Sequence, residues 1–163
     1  MKAEMGNVAS LWRYPVKSTQ GEELSEGEIT QHGLLGDRAY ALIDVAEGNA
    51  TTATLNTLHE AYPKGRFEPR RFRPNVLIDT PDRTKGFVEE SWIGKTVKIG
   101  DAQLAITGAC GRCVMTTLAQ GDLPKDNGIL RTAVQHNEGH VGVYAKVLQA
   151  GAIKRGDRLI ALG

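Results

Sequence analysis

The chain has 163 residues, of which 40% are hydrophobic and 24% charged, a globular composition that excludes a disordered or fibrous chain. Lysine and arginine number 20 against 19 aspartates and glutamates, so no overall charge attracts nucleic acid or anionic lipid. The longest apolar run, residues 39–43, is far short of the ~20 residues of a spanning helix, and residues 1–10 lack the apolar stretch of a secretory signal. We therefore expect a cytoplasmic protein with neither nucleic acid nor a membrane as partner.

Short apolar stretches between turn-forming residues predict mostly strands in the first half, and the 19 glycines support this. Residues 33–36 form a predicted glycine-rich turn, and the basic stretch 64–73 is typical of an irregular, solvated surface. Apolar residues at i, i+3 and i+7 indicate a helical turn or two over 56–62. Strands are predicted over 7–14, 38–44, 51–55 and 75–80.

The second half has stronger patterns. Gly100-Asp101 between two apolar runs predicts a hairpin, and strict alternation over 141–148 predicts a strand. Helical spacing over 128–136, with Asn127 as N-cap, predicts a helix. Further strands are predicted over 96–99, 102–107, 114–118 and 158–162. About eight to ten short strands and one or two short helices predict a mostly β (α+β) fold, a barrel or a sandwich, in a single domain over residues 1–163.

The two cysteines form one pair, Cys110-Gly111-Arg112-Cys113. A thioredoxin-like pair should open a helix, whereas the residues after Cys113 favour a strand. A zinc site would need two of the four histidines as well, and none is closely spaced to the pair. Two interpretations stay open: one thiolate, its pKa lowered by Arg112, that binds a metal or attacks a substrate, or small buried side chains.

Two further polar pairs are weaker candidates. His136 and His140 stand four residues apart, but Gly139 between them favours unlinked surface histidines. Glu89-Glu90 is a candidate carboxylate pair, but adjacent side chains of a strand point in opposite directions, which favours a solvated turn.

Cations at turn–strand junctions are candidate anion ligands. Arg73 and Asn75 open a strand and could together bind a phosphate; Lys17-Ser18 and Arg38 occupy similar positions. Neither a Walker A loop nor a GxGxxG motif occurs. Any bound phosphate would therefore be held by scattered side chains.

Six segments in this order resemble the MOSC family, named after the C-terminal domain of molybdenum cofactor sulfurase. They are Tyr-Pro-Val-Lys-Ser (14–18), Gly-Leu-Leu-Gly-Asp-Arg (33–38), Arg-Phe-Arg-Pro-Asn (71–75), Phe-Val-Glu-Glu-Ser-Trp-Ile-Gly (87–94), Cys-Gly-Arg-Cys (110–113) with Thr116 and Thr117, and Gly-Val-Tyr-Ala (142–145) through Gly151 to Gly-Asp (156–157). Residues 1–45 resemble a shortened form of the β segment that precedes the core in longer members.

The resemblance implies a MOSC-like β-barrel that binds the molybdenum cofactor, a molybdopterin with a terminal phosphate. It implies that Cys113 is the metal ligand and the catalytic residue. It also implies that Lys17, Ser18, Arg38, Arg73 and Asn75 lie near the pterin or its phosphate, and we add Arg112 beside the thiol. Soft thiolate suits a heavy metal.

Three functions follow as expectations. The first is a molybdenum-dependent oxidoreductase that reduces N-hydroxylated or related small substrates, with electrons from a separate donor protein. The second is a persulfide sulfur carrier for metal-cluster or cofactor assembly, loaded on Cys113 by a sulfur donor. The third is a non-catalytic cofactor-binding module.

Overall fold

Strands make up most of the fold in this computed structural model, which describes residues 3–16, 20–37, 47–81 and 84–163. The strands are β1 (Glu4–Arg13), β2 (Glu22–Leu24), β3 (Glu26–Thr30), β4 (Gly33–Leu34), β5 (Glu47–Thr51), β6 (Val76–Asp79), β7 (Thr96–Ile99), β8 (Ala102–Gly111), β9 (His140–Gln149), β10 (Gly151–Lys154) and β11 (Arg158–Leu162). The helices are α1 (Thr52–Ala61), α2 (Pro69–Phe72) and α3 (Asn127–Asn137), with 3₁₀ helices over Val88–Trp92 and Val114–Thr117. The predicted strand over 38–44 lies outside the described residues.

Eight strands form one sheet in the order β11-β7-β8-β9-β5-β6-β1-β2, and β1 also pairs with β11. The β5–β6 pairing is parallel, whereas the other neighbours in this sheet run antiparallel. A second sheet has the order β10-β3-β4. These pairings confirm a mostly β fold. They leave the barrel a prediction, because β2 continues the sheet beyond the β1–β11 pairing and three strands form a sheet of their own.

Two apolar clusters fill the interior, one on each face of β6. Ile78 packs with strand residues such as Leu104 and Val143, whereas Leu77 packs with side chains of α1 and α3, including Leu58 and Ile129. Successive residues of a strand point to opposite faces, so β6 separates the two clusters. The strand predicted over 141–148 is confirmed. In the described part of the chain, no helix has the length and apolar character to span a membrane.

Two predicted strands are wrong for the same physical reason. Thr51 caps α1, its hydroxyl accepting the Thr54 N–H at 3.2 Å, so residues 52–55 begin a helix and do not form a strand. In the 3₁₀ helix at 114–117, the Thr116 and Thr117 hydroxyls donate to the carbonyls of Cys113 and Val114. Threonine hydroxyls bonded to the local backbone compete with strand pairing, which β-branching alone would favour.

Glu89 is a buried carboxylate that joins α1 to β9. It accepts hydrogen bonds from the Thr51 and Thr54 hydroxyls and from the Gly142 N–H, and its residue is only 1% exposed. The adjacent Glu90 instead accepts from the Asn137 side-chain amide at 2.6 Å. Neighbouring carboxylates therefore serve different contacts, and neither is on a solvated turn of the predicted kind: Glu89 is a structural acceptor in the core.

Burial raises the pKa of Glu89 above its ordinary value, against the opposing effect of its hydrogen bonds. The native state therefore holds this proton more tightly than the unfolded chain, and stability falls as pH rises from 4.5 through the folded-state pKa. Glu89→Gln removes this titration. We expect the melting-temperature difference, variant minus wild type, to increase over that window in thermal melts.

Thr54→Val provides the matched test of the cause. It removes a hydrogen bond that lowers the pKa of Glu89, so the pH-dependent window should extend to higher pH. The assignment would be contradicted if the melting temperatures of wild type and Glu89→Gln changed with pH in parallel.

Candidate functional site

Cys113 carries an exposed free thiol just past the end of β8. It is the N-cap residue of the 3₁₀ helix Val114–Thr117, and its carbonyl accepts the Thr116 N–H at 3.1 Å. Cys110, within β8, is 3% exposed and packs as a small apolar side chain. The pair therefore consists of one accessible thiol and one buried one. The four-residue 3₁₀ helix follows Cys113, where the sequence predicts a strand.

Arg112 ties three elements together. Its Nε and Nη2 donate to the Val141 carbonyl at 2.8 and 2.6 Å, and its Nη1 donates to the Phe72 carbonyl at 2.7 Å. Its main-chain N–H donates to the Gly139 carbonyl. The guanidinium thus joins the end of β8 to the start of β9 and the end of α2. The predicted roles of Arg112 at the thiol and the cofactor stay predictions.

Two adjoining hollows share Arg73, Gln20, Gln120 and Gly121 in their walls, and we call them together the Arg73 cleft. The larger has a volume of about 410 Å³ and is completed by Met115, Leu118 and Ala119. The smaller, about 180 Å³, is completed by Trp12, Tyr14, Gly21 and Arg70. Met115 belongs to the 3₁₀ helix that Cys113 begins, so the thiol and one wall of the cleft share a turn.

Arg73 and Asn75 occupy different environments. Arg73 lies in both parts of the cleft, with its guanidinium carbon 4.5 Å from the centroid of the Tyr14 ring and Nη2 donating to the Val16 carbonyl. Asn75 is fully buried, and its side-chain amide donates to the Trp12 carbonyl at 3.1 Å. Arg73 is therefore placed to meet a ligand, whereas Asn75 ties β6 to β1. The candidates Lys17, Ser18 and Arg38 lie outside the described residues.

Arg71 is a correction to the solvated surface predicted over 64–73. It is 1% exposed, and its guanidinium donates to the carbonyls of Thr116, Leu118, Pro124 and Arg66. Burial lowers the pKa of Arg71, while the nearby Asp126 carboxylate acts in the opposite sense. Charge pattern alone does not distinguish this arginine from its exposed neighbours, so sequence reasoning missed it.

Two other cations of this stretch belong to an ion-pair network near the surface. Arg66 and Arg70 both bind the carboxylates of Glu68 and Asp122. Hydrogen bonds from Arg70 and Arg66 hold the pKa of Asp122 well below its usual range. The network links the start of α2 to the turn at Gln120–Leu123, at the mouth of the cleft.

The histidines do not assemble with the cysteines as a zinc site requires. In the described ranges, no group of three or more histidine, cysteine, aspartate and glutamate side chains is arranged to hold a metal ion. His140 Nδ1 lies 4.0 Å from Glu90 Oε1, while His136 is exposed in the last turn of α3.

Comparison with known proteins identifies the fold family. The MOSC domain model matches residues 30–160, and the chain belongs to the MOSC domain family. The protein YUAD from Bacillus subtilis superposes with a TM-score of 0.78 at 18% identity, covering 99% of this chain and 98% of that one. YiiM from Escherichia coli superposes at 0.65 with 17% identity, covering 100% of this chain and 70% of that one. At such identities these likenesses show the fold alone.

Curated relatives match over shorter segments. Mitochondrial amidoxime-reducing component 1 of Homo sapiens is 48% identical over 54 residues, 31% of this chain and 16% of that protein. Molybdenum cofactor sulfurase of Arabidopsis thaliana is 36% identical over 73 residues, 44% of this chain and 8% of that protein. The matches thus cover less than a fifth of either relative, and the name of the second refers to the molybdenum cofactor.

Arg112→Ala tests the structural tie. The carbonyls of Val141 and Phe72 would lose their partner, so we expect the free energy of unfolding to fall by about 1–3 kcal/mol in denaturant titrations. Arg131→Ala, an exposed arginine of α3, is the control and should leave stability nearly unchanged. The rate of Cys113 alkylation in Arg112→Ala tests the second predicted role, since a slower rate would support thiol activation by Arg112. Wild-type stability of Arg112→Ala would contradict the structural tie.

Proposed function

We propose that this protein binds the molybdenum cofactor in the Arg73 cleft, with Cys113 as the ligand to the metal. The observation that carries the proposal is the position of Cys113, which has the exposed thiol among the described residues. Cys113 begins the turn that supplies Met115 to the cleft wall, and Arg73 lies in the same cleft. Lys17, Ser18, Arg38 and Asn75 belong to the proposed site by family resemblance.

The residues present fit such a group chemically. A thiolate is a soft ligand suited to a heavy metal, and a guanidinium binds phosphate oxygens in a fork. The side-chain amides of Gln20 and Gln120 add donors and acceptors to the cleft wall. Cys113 would hold the metal and Arg73 the phosphate, while the apolar side chains of Met115 and Leu118 would limit access of water. When bound, the cofactor supplies oxygen-atom transfer and two-electron chemistry.

The substrate class proposed is N-hydroxylated or related small molecules, reduced by electrons from a separate donor protein. The similarity to a protein named as an amidoxime-reducing component supports this choice. The protein's role would be to bind and orient the substrate next to the thiol-ligated metal. We place this activity in the cytoplasm.

A persulfide carrier is the second candidate function. The similarity to molybdenum cofactor sulfurases and the exposed thiol favour it, since a persulfide on Cys113 would be accessible to a partner. The Cys113 thiolate would attack the persulfide of a cysteine desulfurase, take its outer sulfur and release the desulfurase thiolate. The two candidates place different groups on the same sulfur.

Molybdenum and pterin content of Cys113→Ala provides the decisive test. In protein from a host that makes the cofactor, we expect stoichiometric molybdenum and the fluorescence of oxidised pterin in wild type. Removal of the only proposed thiolate ligand should take the metal below a tenth of that level. Cys110→Ala is the matched control: it removes the buried thiol and should keep both molybdenum and pterin.

Other outcomes separate the candidates. If wild-type protein contains neither metal nor pterin, cofactor binding is contradicted. In that case the carrier is established if the intact mass rises by one sulfur on incubation with a cysteine desulfurase and cysteine, and if Cys113→Ala shows no such gain. Pterin and metal without turnover of any N-hydroxylated substrate, under a strong artificial reductant, leaves the non-catalytic binding module.

Arg73→Gln tests the phosphate contact separately from the metal. A hydrogen bond to a charged group contributes about 1.5–3 kcal/mol, which corresponds to a loss of affinity of about tenfold or more. After dialysis, the pterin content of the variant should therefore be about a tenth of the wild-type content or lower. Arg131→Gln removes an exposed cation of α3 and is expected to behave as wild type. Equal retention by Arg73→Gln and wild type would place the phosphate elsewhere.

A further inference from the structure

Arg71 is a buried cation whose hydrogen bonds all go to main-chain carbonyls. Nε donates to the Arg66 carbonyl at 2.8 Å and Nη2 to the Pro124 carbonyl at 2.8 Å. Nη1 donates to the Thr116 and Leu118 carbonyls at 3.2 and 3.4 Å. A guanidinium has five N–H donors in one plane, and this one makes four hydrogen bonds to two separate stretches of chain.

Three of the four acceptors lie in the segment 113–124, which carries Cys113 and one wall of the Arg73 cleft. The regular structure of this segment consists of the 3₁₀ helix Val114–Thr117 and a bridge between Gln120 and Leu123. A segment with so few ladder hydrogen bonds depends on side chains to satisfy and fix its carbonyls. Arg71 therefore bonds this segment at its beginning, in its middle and at its end.

Arg73, two residues after Arg71, also lines the cleft. Helix α2 ends at Arg73, which adopts a left-handed conformation with φ of 51° and thereby turns the chain. Arg71 consequently lies inside the molecule while Arg73 lies in the cleft. Helix α2 thus holds the Cys113 segment through Arg71, and its C-cap residue Arg73 lines the cleft.

Packing alone is a poor explanation for an arginine at this position. Burying a charge costs free energy that an apolar side chain of similar volume would not require. A lysine at this position has one nitrogen and cannot reach four separated carbonyls in a plane. The distinctive capacity of arginine here is to fix several carbonyls at set positions.

We propose that Arg71 is a positioning residue that holds the Cys113 segment at a fixed place relative to Arg73. The proposal rests on the proposed function for its consequence, the retention of a ligand held by both walls. Its structural part, the fixing of the segment by the guanidinium, is measurable without any ligand.

The experiment compares wild type, Arg71→Lys and Leu159→Ala by native-state hydrogen exchange and by pterin content. Leu159→Ala creates a cavity in β11 and lowers global stability without changing the contacts of Arg71. In Arg71→Lys we expect the amides of Thr116 and Leu118 to exchange at least tenfold faster relative to those of Leu104 and Ala145 in β8 and β9. Pterin content should fall at least fivefold in Arg71→Lys and remain near wild type in Leu159→Ala.

Three results overturn the proposal. One is an unchanged exchange ratio in Arg71→Lys; another is faster local exchange with wild-type pterin content. The third is an equal loss of pterin in Leu159→Ala, which would assign the effect to general stability. If wild type itself holds no pterin, the proposed function fails and the exchange ratio alone decides this inference.

A measurement on wild type alone covers the case in which Arg71→Lys does not fold. With Arg71 in place, the Thr116 and Leu118 amides should exchange only through the opening that also exposes β8, as denaturant is added. Local exchange at much lower free energy would show that the guanidinium does not fix the segment, and would overturn the proposal.

Discussion

The site depends on arginine side chains that donate to main-chain carbonyls of the chain segments around Cys113. Sheet strands satisfy one another, but the connections around Cys113 leave carbonyls that need donors. Arg71 supplies them to the segment 113–124, and Arg112 supplies them to Val141 and Phe72. The two interactions meet at adjacent residues of α2, because the Phe72 carbonyl accepts from Arg112 and the Arg71 side chain donates to the segment 113–124. The chain around Cys113 is thus bonded to α2 twice, through the Arg71 side chain and through the Phe72 carbonyl.

A carboxylate performs the converse function at the contact between α1 and β9. Glu89 collects donors, the hydroxyls of Thr51 and Thr54 and the Gly142 N–H, as Arg71 collects acceptors. The charge of each buried group is compensated by hydrogen bonds with neutral groups, and these hydrogen bonds also fix the orientation of the side chain. The cost of burial is offset only if every partner is in place, so these contacts specify one arrangement of helices and turns around the strands.

Strand pattern made much of the sheet predictable from sequence, and side-chain hydrogen bonding explains most of what was not. The hairpin at Gly100 and the alternation in β9 follow from local pattern. Thr51 and Thr116 are β-branched, which favours strands, yet the hydroxyls of both form hydrogen bonds with the local backbone. These bonds stabilise the start of α1 and the 3₁₀ helix after Cys113. For the site, residue chemistry selected the cysteine pair and Arg73 as candidates, and the family resemblance selected Cys113 within the pair. Arg71 was hidden in a run of cations, because its acceptors are up to 53 residues distant.

Arg73 shows how the cleft depends on local strain. It is one of two non-glycine residues with positive φ in the described part of the chain, a conformation that costs an L-residue about 1–2 kcal/mol. Glycine would remove that strain and also the side chain. The guanidinium is instead stacked on Tyr14, whose own N–H donates to the buried Asp37 carboxylate at 2.6 Å. The turn thus needs both its backbone geometry and its side-chain charge at the same residue, and the proposed role of the cleft in binding an anion would explain why arginine and not glycine stands there.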